Sequence, residues 1–241
     1  MAGVGKLIAI DPDKMRYSNV GRHPLGANHV GEKKAQALVE HLRKSYPHSE
    51  FEFRNVDWRS ALADEPNLFD EATLIIAMTG DWSADDALNT WNLERRMPVV
   101  FGWMEAHAAA GHAVAIIPTG DTGCLTYGFS DTGKTLFRVT EWPSQTLEQE
   151  PACGALYQPY GPAELGYTVN LVTELGLDVI LHENVESAHR MWACRLPVLL
   201  ANGGKWTREW EALKDSRQEG GCVSARPWPR RTDCASCVEA A

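Results

Sequence analysis

The sequence predicts an α/β protein, a sheet with helices packed on both of its faces. Three observations carry that class. Apolar runs of strand length recur at residues 7–10, 73–78, 98–103 and 112–117. Between them, residues 33–46 and 83–96 have apolar positions at helical spacing, so strand and helix alternate through the first half of the chain. Hydrophobic residues at 44% and charged residues at 23%, over 241 positions, are the proportions of an ordinary globular domain with enough chain for one large core.

Charge and composition exclude several partners. A net charge of −9 argues against a nucleic acid held by its phosphates. No run approaches the roughly 20 apolar residues of a membrane helix. The N-terminus lacks the charged-then-apolar pattern of a signal peptide, so a cytoplasmic setting is expected. Six cysteines in a chain of this length do not make a disulfide scaffold, which leaves the thiols for chemistry or metal.

In chain order, Leu7-Ile8-Ala9-Ile10 is the first strand and stops at Asp11. A polar loop with Asp13, Asn19, Arg22 and His23 leads to a helix over 33–46, packed through Ala37, Leu38, Leu42 and Tyr46. Phe51-Glu52-Phe53 alternates as a strand with one polar face. Residues 54–69 read as loop and a short helix. The continuous run 73–78, bounded by Gly80, has the pattern of a buried parallel strand. Ser83 is placed to cap a helix to Arg96 that packs Ala84, Leu88, Trp91 and Leu93. Two strands follow, at 98–103 and 112–117. Residues 118–159 are rich in Gly, Thr, Asp and Pro, and irregular segments of that length in compact domains are commonly functional. Gly161-Pro162 opens a helix to about His182, with Leu165, Val169, Val172, Leu175, Val179 and Ile180 on its apolar side. Residues 190–194 read as a late strand, and residues 205–241 as a weakly ordered tail after a main domain of 1–204. No internal repeat is visible.

The chemistry concentrates after the first strand. Asp11-Pro12-Asp13, Asn19-Val20-Gly21-Arg22-His23 and Gly31-Glu32-Lys33-Lys34-Ala35 occur there in order. A carboxylate ending a strand suits ribose hydroxyls. A forked guanidinium matches phosphate oxygens, and an amine at the next helix start adds a compact positive charge. The alternative is bland: a solvated loop acid at Asp13 and a solvated basic face at Arg22 and Lys34. The three motifs resemble D-x-D, N-x-x-R-[QH] and G-x-x-K-A of ThiF/MoeB-type adenylating enzymes, relatives of the ubiquitin-activating enzymes. By that resemblance the sheet is Rossmann-like, and Asp11, Asp13, Asn19, Arg22 and Lys34 bind ATP. Arg22 and Lys34 also neutralise the transferring phosphate.

The resemblance implies further residues. Asp81, in Thr79-Gly80-Asp81-Trp82, stands where such enzymes place an aspartate that helps hold Mg²⁺. The family reads T-D-N there, and the spacing to Asn89 is about one residue short, which leaves Asp85 and Asp86 as rivals. Helix-start acids are also common dipole partners. Cys153 lies between a proline-containing stretch and Gly154, shortly before the long helix, where ubiquitin-activating relatives carry a nucleophilic cysteine. Together with Tyr157-Gln158-Pro159-Tyr160-Gly161-Pro162, it resembles the activating domain of CBASS antiphage conjugation enzymes. A buried small hydrophobe is the alternative for Cys153. Cys234-Ala235-Ser236-Cys237 is a lone C-x-x-C, whereas tetrahedral Zn²⁺ needs four ligands. Cys194 and Cys222 lack ligand spacing, so zinc on Cys234 and Cys237 is half a site, and His182, His189 and Cys194 read as ordinary residues near a strand.

Family members also place a first strand and a G-x-G-x-x-G loop about 25 residues before the equivalent of Leu7. Neither is present here, and no later strand is followed by a substitute. In the usual order that strand lies between the Leu7 and Leu74 strands, so its lack is expected to leave two open edges. The chain reads as a fragment, a shortened variant, or a domain whose gap something else fills. The implied reaction is ATP-dependent activation of a protein's C-terminal carboxylate, with the tail of a ubiquitin-like protein or a nucleotide cyclase as partner. Relatives are commonly homodimers. Two other classes stay open: an inactive partner-binding module, and an NAD-dependent oxidoreductase, which leaves Arg22, Lys34 and Cys153 unexplained together.

Overall fold

In the computed structural model, β1 (Lys6–Ile10) and β2 (Glu50–Arg54) pair in parallel, from Lys6 opposite Glu50 to Ile10 opposite Arg54. Parallel neighbours need a long crossover, and α1 (Lys34–Ser45) supplies it, packing on both strands. The helix buries Ala35, Ala37 and Val39. Tyr46, expected as a packed position, is exposed because the helix has already ended there. Met15 and Leu25 from the polar loop join Ala37 in a small core. Asp57 caps α2 (Trp58–Asp64) by accepting from the amides of Arg59 and Ser60. These elements form the first of two compact units, Met1–Ala72 and Thr73–Ala241. The structure describes residues 4–117, 123–130, 133–149, 156–182, 187–212, 219–230 and 234.

The second unit begins with β3 (Ile75–Ala77), α3 (Trp82–Arg95), β4 (Val99–Met104) and β5 (Ala110–Ile116). Three short strands follow: β6 (Thr140–Glu141), β7 (Glu148–Gln149) and β8 (Leu156–Tyr157). Then come α4 (Pro162–Leu181), β9 (Ala188–Ala193), α5 (Leu196–Ala201), β10 (Lys205–Trp206), α6 (Arg208–Glu211) and β11 (Cys222–Pro227). The main sheet runs β11-β9-β5-β4-β3, and only the β3–β4 pair is parallel. β3 is not the buried strand that its apolar run suggests. It has one described neighbour, and Ile76 and Met78 are 51% and 42% exposed. β1 likewise pairs only with β2 among the described strands.

α4 lies on one face of this sheet, packing against β4, β5 and β9. Two glycines let it come close: a Cβ on Gly111 would sit 2.1 Å from Thr168 Oγ1, and one on Gly102 2.5 Å from Val172 Cγ2. The helix buries Thr168, Leu171, Val172, Leu175 and Gly176. Val169 and Ile180, expected on its apolar side, are exposed. The register points Phe101, Trp103, His112, Val114 and His189 to the opposite face. There they meet Phe129, Phe137 and Trp228. α3 reaches this layer through Trp82, stacked on Phe129, and through Asn89, which accepts from Leu125 N.

The segments 205–212 and 219–230 are packed elements rather than the weakly ordered tail expected from composition. β10 pairs with β6 and β11 with β9. Trp206, Trp210 and Trp228 are buried, and three indoles bury enough apolar area to hold short segments in place. No helix among the described residues is long and apolar enough to cross a membrane.

Candidate active site

The five expected nucleotide residues lie in the first unit, between the end of β1 and the start of α1. Asp11 follows the last paired residue, and its Oδ1 accepts from Asp13 N at 2.8 Å, turning the chain sharply out of the strand. The loop then returns to the start of α1. Lys34 N donates to Asp13 O at 3.0 Å, and Gly31 N donates to Met15 O at 2.9 Å. This lacing sets Lys34 in the first turn of the helix, with its ammonium 2.8 Å from Asp13 Oδ2. That hydrogen bond holds the Asp13 carboxyl below the usual carboxylate range. Lys33 reaches Pro12 O at 2.9 Å, so two amines converge on residues 12–13. Burial, then the charge of Lys34, push His23 below the ordinary histidine range, with Asp11 opposing. Asp11, Asp13, His23 and Lys34 therefore share one electrostatic neighbourhood.

The other two candidates of this unit are placed by the loop itself. Asn19 Oδ1 accepts from Arg16 N at 3.0 Å, so its side chain closes a turn. Arg22 is half-buried, and its amide donates to Asn19 O at 2.9 Å.

Asp81 belongs to the second unit. It, and not Ser83, is the N-cap of α3, its Oδ1 accepting from Ser83 N at 2.9 Å. Gly80, at φ +68, makes the turn that brings Thr79 back over the helix start. Thr79 Oγ1 donates to Asp85 Oδ1 at 2.8 Å and accepts from Asp81 N at 3.0 Å. Burial, then the nearby Asp81 carboxylate, push Asp85 up to about 6. Two carboxylates thus stand together at the helix start, Asp81 exposed and Asp85 half-buried, while among the described residues no contact is seen for the Asp86 carboxylate. Among the described residues no group of three or more His, Cys, Asp or Glu is placed to hold a metal.

Residues 1–191 match the ThiF family. This chain belongs to the ThiF family. One relative is the ATP-dependent ubiquitin transferase-like protein Cap2 of Pseudomonas aeruginosa, 25% identical over 72% of this chain and 31% of Cap2. Another is the ubiquitin-like modifier-activating enzyme 5 of Gallus gallus, 24% identical over 75% of this chain and 45% of that enzyme. The ThiF-family chain thus spans less than half the length of these relatives. Among solved structures, E. coli MccB with ATP superposes with a TM-score of 0.60 at 14% identity, over 97% of this chain and 59% of MccB. MccB with MccA-N7isoASN gives 0.63 over 98% and 60%. These neighbours support the mixed α/β, Rossmann-type fold.

The thiols of this ThiF-family chain divide sharply. Cys153 and Cys237 lie outside the described residues. Cys194 is buried, and that burial pushes its thiol up to about 11, as for an inert core cysteine. The Cys234 sulfur lies 3.5 Å from that of Cys124, a residue overlooked in reading the zinc ligands from sequence. Cys124 lies within the irregular segment 118–159, but 110 positions separate the two thiols.

Sequence reasoning also missed a buried polar chain. Glu105 Oε1 lies 2.9 Å from His112 Nε2, and His112 Nδ1 lies 3.0 Å from His189 Nε2. Both imidazoles are fully buried, and Trp103 stacks on His112. His189 is therefore no ordinary residue near a strand. Burial, then His112 and Arg226, push it well below the ordinary histidine range. The one available signal was a histidine at 112 within the otherwise apolar run of β5.

Proposed function

We propose that this chain is the larger part of an adenylation domain that uses ATP to activate the C-terminal carboxylate of a protein or peptide. Cys153 then takes the acyl group as a thioester. The observation that carries the reading is the corner at the end of β1, where Asp11, Asp13, His23 and Lys34 are laced together. Membership of the ThiF family gives that corner its chemistry.

In the first step a carboxylate oxygen attacks the α-phosphorus of ATP. A P–O bond forms as the bond to the bridging oxygen breaks, and pyrophosphate leaves with the electron pair. The protein's share is position and charge. Asp11 accepts from ribose hydroxyls, Asn19 shapes the loop, and Arg22 and Lys34 offset the phosphate charge. Asp13 keeps the Lys34 amine oriented until phosphate competes for it. Asp81, whose Oδ1 caps α3, would hold Mg²⁺ together with Asp85, which suits an ion bound through one or two carboxylates. Magnesium supplies Lewis-acid neutralisation of the phosphates. In the second step the Cys153 thiolate attacks the acyl carbon of the adenylate. The C–S bond forms, the C–O bond to AMP breaks, AMP leaves with the electron pair, and the thiol proton goes to solvent.

The partner class is the C-terminal tail of a ubiquitin-like protein or of a nucleotide cyclase, in a cytoplasmic antiphage setting of the kind the CBASS resemblance suggests. A second copy completes a homodimer. Zinc, where bound, draws on Cys124 and Cys234 with Cys237 of the C-x-x-C, which improves on the half site the tail alone offers. ATP–pyrophosphate exchange by the full-length protein tests the first step, and no exchange with any carboxylate partner overturns it. A reducible protein adduct that persists in Cys153→Ala overturns the thioester.

A further inference from the structure

We propose that the Glu105–His112–His189 chain is an acid-sensitive latch, which takes up a proton only when β11 and Trp228 lift off the sheet. Nothing in this latch depends on the adenylation chemistry.

The bonds fix where each hydrogen goes. Glu105 is only 6% exposed and has both oxygens engaged. Oε1 accepts from Val139 N at 2.6 Å, and Oε2 from Thr140 N at 2.7 Å and Thr140 Oγ1 at 2.5 Å. Burial by itself opposes ionisation, but the bonds from His112, Thr140 and Val139 outweigh it and hold the carboxyl below its ordinary range. His112 Nε2, 2.9 Å from Oε1, therefore carries a hydrogen and donates it to a carboxylate. In a neutral His112 the Nδ1 atom is then bare, and His189 Nε2–H donates to it across 3.0 Å. That leaves His189 Nδ1 as a bare acceptor, and it is buried without a hydrogen-bond partner.

An added proton changes this one atom, whichever ring becomes the cation. A charged His112 donates through Nδ1–H to His189 Nε2, so the hydrogen of His189 moves to Nδ1. A charged His189 takes the proton at Nδ1 directly. Both routes place a new N–H at His189 Nδ1, and the closed fold has no acceptor for it. His189 is fully buried, with the ring centroids of Trp228, Trp103 and Phe137 at 5.1, 5.7 and 6.2 Å from its own. Arg226 stands opposite His189 in the β9–β11 pair and so on the same face of the sheet. Its guanidinium lies 3.5 Å from the Phe137 centroid and 3.3 Å from Tyr127 OH. The charged and titratable groups around the two rings are thus Glu105 at the His112 end, Arg226 at the His189 end and Tyr127 beyond it. Among the described residues no carboxylate acts on His189, and Arg226 repels a charge there.

Proton uptake must therefore come with opening, and the edge strand is what can open. β11 pairs only with β9, and Val223, Ala225 and Pro227 on its other face are exposed. Lifting it takes Arg226 and Trp228 away from His189 and lets water reach Nδ1, while β4, β5 and β9 stay paired. The closed form keeps His189 neutral, so the stability of the latch is full above 6.5, the ordinary histidine value, and is lost as pH falls below it.

The test is hydrogen–deuterium exchange of the full-length protein by mass spectrometry at pH 7.5 and 5.5, with amide rates corrected for their intrinsic pH dependence. Opening that exposes one ordinary histidine is favoured by a factor of about 1.1 at the higher pH and about 11 at the lower. Amides of residues 222–228 are therefore expected to exchange about tenfold faster at pH 5.5, and those of β4, β5 and α4 to change less than about threefold. His189→Phe, a ring that cannot take a proton, is expected to abolish that pH dependence. Should this variant not fold, C2–H exchange of the wild-type histidines still decides: His189 is expected to exchange at least about tenfold more slowly than exposed His48 at pH 7.5. Equal protection of β11 at both pH values overturns the proposal. So does a pH dependence that survives in folded His189→Phe, an equal loss of protection throughout the second unit, or a His189 C2–H as fast as that of His48.

Discussion

Replacing Asp85 with asparagine is expected to stabilise the protein near neutral pH and to leave it unchanged in acid. Asp85 sits half-buried in the first turn of α3, next to Asp81 and bonded to Thr79 Oγ1 at 2.8 Å. Burial and then Asp81 raise its carboxyl from 3.8 to about 6. The native state therefore binds the proton more tightly than the unfolded chain. The contribution of this group is full below 3.8 and is lost as pH rises through about 6. At roughly 1.4 kcal/mol per pH unit, the ionised carboxylate costs about 3 kcal/mol above that range. Losing an acid at a helix N-terminus returns some 0.3–1 kcal/mol of this. Asparagine keeps the acceptor for Thr79, so the net gain at pH 7.5 is about 2 kcal/mol, or roughly 4–8 °C in Tm for a protein of this size. Denaturant unfolding of both proteins between pH 3.5 and 8 checks it. A difference that does not vary with pH, or a variant less stable at pH 7.5, would refute the reasoning. If Asp81 and Asp85 share a bound divalent cation, Mg²⁺ is expected to raise the wild-type Tm more than that of Asp85→Asn above pH 6.

Three further outcomes are expected. Gly111→Ala places a Cβ within 2.1 Å of Thr168 Oγ1, so α4 must shift, at a cost of about 1–3 kcal/mol in denaturant unfolding; an unchanged midpoint would show that α4 yields freely. Lys34→Gln is expected to lower pyrophosphate exchange by roughly two orders of magnitude or more (about 3 kcal/mol), since it removes a charge from the transferring phosphate. It is expected to change stability by about 1 kcal/mol at most, because Asp13, the partner in its ion pair, is well exposed even though the Lys34 side chain is mostly buried, and equal losses in both assays would argue for a structural role. If Cys124, Cys234 and Cys237 hold zinc as proposed, purified protein is expected to carry about one equivalent by elemental analysis, removed by chelators and absent in Cys234→Ser. Metal-free protein with all its thiols titratable would exclude that centre.

How much of this was legible depends on the distance over which each feature is encoded. Asp11, Lys34 and α1 could be read because one strand, one loop and one helix carry them within 40 residues. The cap at Asp81 was displaced by two residues from Ser83, since aspartate and serine serve that role about equally and only the backbone turn at Gly80 chooses. α4 was found by its length and Gly161-Pro162 opening, but the face it buries was set by Gly102 and Gly111 on the sheet, not by its own spacing.

By itself, then, the sequence determined the α/β class, the motif-bearing corner after β1 and family membership, all of which depend on residues near each other along the chain. Tertiary structure alone decided the rest. Glu105 finds its donors 34 and 35 residues away, Cys124 meets Cys234 across 110, and His112 meets His189 across 77. The pairing of β5 with β9 and the burial of Trp228 bring those groups together. A buried polar group must then find a partner wherever the fold delivers one, and no local pattern records which residue that will be.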